Sequence, residues 1–370
     1  MIAGRPPRPA PRLGAVCGGR DNNLNLIRMI AATSVLVSHA WPIALGPSSV
    51  QPLEASLGMT LGAVSVWVFF AISGFLIARS YDRAARIADW TAARAMRLFP
   101  GLAVVLILTA LAMGPATTVL PLGAYAANPA TLLYVPRNVT LISVQYGLPG
   151  VFVDHPLPGA INGSLWTLFH EVVCYMGVLA IGLFGLLRRR GAMAIAGAAY
   201  LAGWVGLGLA GDAAPMRIML LRDLSLPFFI GTAFYVWRDR IALRWDLALA
   251  GCAATALCAA AARDAFAPVF ALALTYGVCV LAWRPGGVVR GYNRLGDYSY
   301  GVYVYAFPLQ QLVIHLFGTM SPWENIALSL PPTLLCAALS WRFVEKPGLA
   351  LRGRVADLLA GSAPRGSGRA

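Results

Sequence analysis

Arg28 and His39 are the first residues equipped for chemistry, because both fall inside Asn23–Ala44, a stretch apolar enough to cross a bilayer. A spanning helix needs about 20 predominantly apolar residues, and ionisable groups within one are costly enough to mark function by default. Read as a helix, the segment sets the two side chains about 16 Å apart along its axis and within about 20° of the same azimuth. One face then offers a permanent cation near one end and a proton acceptor well toward the other. Taken singly, each has a plainer role: the arginine reaching for headgroups, the histidine bonding to a neighbouring helix.

Arg94 and Arg97, in Arg94-Ala-Met-Arg97-Leu-Phe-Pro100, end an arginine run that begins at Arg79. At positions i and i+3 they share a helix face and can aim two planar guanidinium forks at one phosphate. The competing account is ordinary positive-inside charge, which suffices for Arg79, Arg83 and Arg86. Glu171 lies about 10 Å below the outer end of its span, too deep to stay comfortably hydrated, so it needs a partner. His39 sits at comparable depth and is geometrically allowed. His170 points about 100° away from Glu171 and is the weaker candidate. Trp166 reads as an interfacial belt residue, and Tyr300 and Tyr303 as lining a polar cavity or bonding between helices. Gly206-Leu-Gly208-Leu-Ala-Gly211 satisfies GxGxxG without a preceding strand and is expected to be helix-packing glycine. Two glycosylation sequons, at Asn138 and Asn162, are silent about function. No GxSxG, Walker A or HExxH occurs, and the six cysteines have no metal-ligand spacing, so no metal site is expected.

The elements that must position these residues follow from composition. The chain has 370 residues, 58% hydrophobic and 12% charged, about half the charged share of a soluble domain. It reads as an all-α, polytopic membrane protein. Apolar runs predict ten spans, at about 23–44, 60–80, 99–115, 164–187, 191–211, 223–237, 245–262, 265–283, 298–318 and 325–342. The net charge of +14 lies in the loops between them, which is orientation signal and not a nucleic-acid surface. With the N-terminus inside, 24 arginines and lysines face the cytoplasm and four face out, so both termini are expected inside. Residues 1–22 are expected to be a disordered basic tail, 23–344 one membrane domain, and 345–370 a cytoplasmic tail too Gly/Ser/Arg-rich after Arg352 to fold. The outer segment, about 116–163, is expected to be a partly ordered cap in preference to a binding pocket.

In order along the chain, Arg28 with His39, Phe69-Phe70-Ala-Ile-Ser73-Gly74-Phe75-Leu76-Ile77, Arg94-x-x-Arg97, the SLWTL…E…Y run, Ser299-Tyr300 with Tyr303 and Pro308, and Phe343-Val-Glu345-Lys346-Pro347 resemble the membrane acyltransferase 3 family. Its members put acetyl or other acyl groups on cell-surface glycans. The resemblance implies acyl-CoA as cytoplasmic co-substrate, no tightly bound cofactor, and His39 as catalytic base or acyl relay, with Glu171 orienting it. Arg28, Arg94 and Arg97 would hold the CoA phosphates. Ser164, Trp166, Tyr175, Tyr300 and Tyr303 are the substrate-binding candidates. The partners implied are a glycan or glycolipid acceptor and membrane lipid, with the chain in the cell's inner membrane. The roughly 16 Å from Arg28 to His39 is about the reach of an extended pantetheine arm. Two departures from the family pattern stand out: Asn25 replaces an aspartate common three residues before the arginine, and Ala306 replaces a histidine common two before the span-nine proline. A transporter or flippase for a lipid-linked saccharide is the competing reading, since buried Arg, His and Glu also mark translocation paths. No internal repeat supports it.

Overall fold

The computed structural model describes residues 10–361 and is all-helical; among the described residues β-structure is limited to two isolated bridges. The main helices are α1 (Leu24–Leu45), α2 (Leu61–Arg83), α3 (Ile87–Leu108), α4 (Trp166–Leu183), α5 (Arg190–Ala210), α6 (Met216–Val236), α7 (Trp245–Ala261), α8 (Arg263–Trp283), α9 (Ser299–Phe317), α10 (Pro322–Ser340) and α11 (Arg352–Leu359). Each of the ten expected spans corresponds to one of the first ten. Among the described residues, eight helical segments are long and apolar enough to cross a membrane. Of the remaining two, α7 is shorter. The other, α9, carries Tyr300, Tyr303, Tyr305, Gln310 and Gln311, all buried, so its polar groups face protein.

Several boundaries differ from expectation. The third span starts at Ile87 and not near 99, and at its far end a π turn (Thr109–Met113) and Gly114–Thr117 carry α3 on without a break. Arg94 and Arg97 therefore lie within the helix. The last span likewise runs from Pro322 through a π turn (Trp341–Glu345) to Ala350, which puts Glu345 in the membrane domain. Its start is fixed by a capping box in which Ser321 and Glu324 each satisfy the other's backbone N–H. Structure also extends into both expected tails. Leu13–Val16 is a short helix with Leu13 buried, residues 1–9 being outside the described set. At the other end α11 packs along α3, and its buried Asp357 accepts from Arg86 Nη2 at 2.8 Å.

Two compact units make up the chain. The first comprises Met1–Ile27, Trp67–Arg79 and Gly177–Leu295. Within it α2 and α6 touch backbone to backbone: a Cβ at Gly74 would lie 1.8 Å from the Phe228 carbonyl oxygen, and one at Gly231 2.2 Å from that of Ala71. Thr232 Oγ1 donates to the Gly74 carbonyl at 3.1 Å across the same contact. Small residues are what allow membrane helices to approach this closely. The glycines at 206, 208 and 211 do not serve this way. Gly206 has open space beside it, Gly208 faces the Arg222 side chain, and Gly211 ends α5 at positive φ.

The second unit comprises Arg28–Val66, Ser80–Met176 and Gly296–Ala370, and contains every candidate site residue. Its most buried helix is α9, against which α10 packs closely enough that a Cβ at Gly301 would lie 2.7 Å from the Ala337 Cα. The outer segment is ordered. Its residues Leu157 and Ala160 pack on a cluster of Ile43, Ala44, Phe307 and Ile314, and their carbonyls accept from Gln311 Nε2 at 2.9 and 2.8 Å. Both sequon asparagines are buried. Asn162 donates to the Val304 carbonyl and Asn138 to those of Tyr134 and Gln145, which makes them packing residues.

Candidate active site

Two arginines that are distant in sequence meet around two carboxylates. Arg28 on α1 and Arg97 on α3 both donate to the same oxygen of Asp297, Nη1 of the first at 2.8 Å and Nη2 of the second at 2.6 Å. Arg97 Nη1 also reaches Glu345 Oε2 at 3.3 Å, and Ser340 Oγ donates to the other Glu345 oxygen at 3.0 Å. The Arg97 guanidinium lies 5.8 Å from the Tyr300 ring centroid and 6.0 Å from that of Trp341, within cation–π range. Glycine at 296 is required for this arrangement. It adopts φ +115, and a Cβ there would sit 2.5 Å from Trp341 Nε1. The turn so formed delivers Asp297 to the foot of α9, where Ser299 Oγ donates to its Oδ1 at 2.6 Å. Burial works against a charged Asp297, but Arg28 and Arg97 outweigh it and hold the carboxyl down at about 2.

Arg94 is bonded differently from Arg97, although one turn away. Its Nε is buried without a hydrogen-bond partner. Tyr175 and Glu171 of α4 are close enough to act on it electrostatically, as are Arg28 and Arg97. Glu171 itself accepts from Tyr175 Oη at 2.5 Å, an i,i+4 pair on one helix. The expected Glu171–His39 pairing is not made through Nδ1: that nitrogen of His39 is buried with no hydrogen-bond partner, and the ring meets Phe307 edge-on at 5.3 Å. Glu171 thus belongs with the arginine cluster.

The remaining candidates divide between polar linkage and packing. Tyr303 Oη lies 2.6 Å from Thr167 Oγ1 and donates to the Ser164 carbonyl at 3.1 Å, joining α9 to the start of α4. The Ser164 hydroxyl itself is buried and unpartnered. Tyr300 Oη is taken up by the Leu98 carbonyl at 2.8 Å, so this tyrosine contributes its ring and not its hydroxyl. Trp166 is half-buried and packs edge-on to His170, whose Nδ1 lies 2.9 Å from the Trp166 carbonyl. No group of three or more His, Cys, Asp or Glu that could hold a metal occurs among the described residues.

Asp297 and Glu345 are the residues that sequence reasoning left without a role, although Glu345 stood in a segment that carried the resemblance. The available signal was charge balance, because arginines drawn into an apolar interior require counter-charges. Asp297 supplies Arg28 with a carboxylate from another element.

Comparison with known proteins gives the same direction. A family model described as an acyltransferase domain matches residues 21–342. An O-acetyl transferase of Shigella phage Sf6 is 29% identical over 346 residues, 88% of this chain and 96% of that protein. Nodulation protein 10 of Rhizobium leguminosarum bv. viciae is 26% identical over 362 residues, 90% of this chain and 95% of that protein. No solved structure matches. With the family model covering most of its length and its candidate residues gathered in one helical unit, the chain belongs to the acyltransferase 3 family of multispanning membrane proteins.

Proposed function

We propose that this acyltransferase moves an acyl group, acetyl in the first instance, from acyl-CoA at the cytoplasmic face to a hydroxyl of a surface or exported saccharide. The observation that carries the reading is the arginine cluster at Arg28, with His39 about 16 Å further along the same helix. Arg28, Arg94 and Arg97 hold the phosphates of the donor, and its pantetheine arm runs along α1 and ends at the imidazole. Arginine suits this role because its planar fork matches phosphate oxygens. His39 then removes the proton of the acceptor hydroxyl, whose oxygen attacks the thioester carbonyl. As the tetrahedral intermediate collapses, the C–O bond is kept and the C–S bond breaks, and the imidazolium returns its proton to the leaving thiolate. The buried, unpartnered nitrogen of His39 fits a base whose partner arrives with substrate. Ser164, Trp166, Tyr175, Tyr300 and Tyr303 line the approach. The phage relative, an O-acetyl transferase, supports oxygen as acceptor and acetyl as cargo. Family membership favours transfer over the transporter reading.

Mass spectrometry of surface glycans from cells with and without the chain tests this. Each modified unit should gain the mass of one acyl group, and His39→Ala should remove the gain while the protein remains in the membrane. Full acylation by that variant would take His39 out of the mechanism.

A further inference from the structure

Asp297 is the residue on which the arginine cluster closes. Its Oδ2 receives both Arg28 and Arg97, and its Oδ1 receives Ser299 Oγ, so neither carboxylate oxygen is left to rotate. Sharing one oxygen brings two guanidinium nitrogens to within roughly 5 Å of each other, a distance at which like charges repel unless a counter-charge lies between them. The carboxylate comes from a third element, the glycine-dependent turn before α9, and so fixes α1 to α3 where Arg28 and Arg97 face one another. Arg94, one turn before Arg97, completes the group with a buried Nε that no protein atom satisfies.

We infer that Asp297, held by Ser299, is a positioning residue of the donor site. It presets the forks of Arg28 and Arg97 beside Arg94, so that an incoming phosphate meets oriented donors instead of mobile, mutually repelling cations. This rests on the donor-site reading above. Ser299 anchors the carboxylate at the start of α9, so on this proposal it stays beside the arginines when phosphate arrives. Its removal therefore weakens phosphate binding and does not strengthen it.

The test uses the full chain in detergent micelles, titrated calorimetrically with coenzyme A and, separately, with pantetheine, which has the arm but not the nucleotide phosphates. The unaltered protein should bind coenzyme A more tightly than pantetheine. Asp297→Asn should weaken coenzyme A binding by about tenfold or more while pantetheine binding changes by less than about threefold, so that the preference collapses. Asp297→Glu should recover part of that preference. Ser299→Ala, which keeps the charge and frees Oδ1, should lower it by about threefold and stands in if the Asn variant does not fold. A merely structural role would weaken both ligands alike. A preference kept by Asp297→Asn, or by Ser299→Ala where that variant stands in, overturns the proposal, as does tighter coenzyme A binding. If the unaltered protein shows no preference, the donor-site reading itself fails.

Discussion

Arg94 and Arg97 are the same residue type one helical turn apart, yet losing them has different consequences. Arg97 neutralises two carboxylates, of which Glu345 is only 1% exposed, so Arg97→Ala leaves a buried charge without its cation. Removing one partner of such a pair costs about 3 kcal/mol. Arg94 satisfies no protein acceptor through Nε, and Arg94→Ala should cost less stability than Arg97→Ala. Thermal unfolding of the two purified variants checks the difference. Equal losses would mean that Arg97 is not the structural member of the pair. Binding should divide the other way in part, with Arg94→Ala weakening coenzyme A at near-normal stability, read by titration. His39 has a comparable freedom. Its unpartnered Nδ1 means that replacement by glutamine breaks no hydrogen bond through that nitrogen, so a loss of transfer in His39→Gln reports chemistry and not collapse.

At the scale of elements, the closest approach is that of α2 and α6 at Gly74 and Gly231. Gly74→Ala would press a methyl group into the Phe228 carbonyl, forcing the helices apart at a cost of roughly 2 kcal/mol. Gly197→Ala on α5, with open space around the added carbon, should be neutral or slightly stabilising. Melting temperatures of both variants test this, and a neutral Gly74→Ala would deny the contact. A different element-scale device lies in the outer segment. His155 sits against Phe152 and His315, and its Nδ1 is 2.8 Å from Gln311 Oε1. Burial and His315 lower its pKa, more than Gln311 and Asp154 raise it. The folded value thus lies below the unfolded value of about 6.5, so stability from neutral His155 is complete above that pH and is lost as pH falls through the folded value. Hydrogen exchange over residues 152–161 should quicken as pH falls below about 6.5, beyond its intrinsic change. In His155→Gln that extra acceleration should vanish, and its persistence would assign the effect elsewhere.

For the molecule as a whole, the arginine and lysine distribution sets the expected orientation, 24 residues on one side against four on the other. A protease site appended after Ala370 should be cut only once the membrane is opened from the cytoplasmic side. Cleavage in intact cells by external protease would invert the topology and with it the side from which the donor enters. The two compact units carry different kinds of residue. The second holds every nominated residue, and the first contains the glycine-mediated α2–α6 contact.

Hydropathy alone was enough to read an all-helical membrane protein, because apolar runs of bilayer length leave the backbone no other way to satisfy its hydrogen bonds. The same linear signal placed Arg28 and His39 on one helix, since azimuth and rise depend only on residue number. It could not find where α3 begins or where the last span ends, because charged residues there are carried in the helix by partners from other elements: Asp297 for Arg97, and Arg97 for Glu345. Pairing was likewise beyond it. Glu171 and His39 matched in depth, but depth is one coordinate. The packing of α4 put Glu171 with Tyr175 and near Arg94, and left His39 against Phe307. Which helix a residue stands on is a local property of the chain, whereas which charge meets which is fixed only when distant segments close on one another.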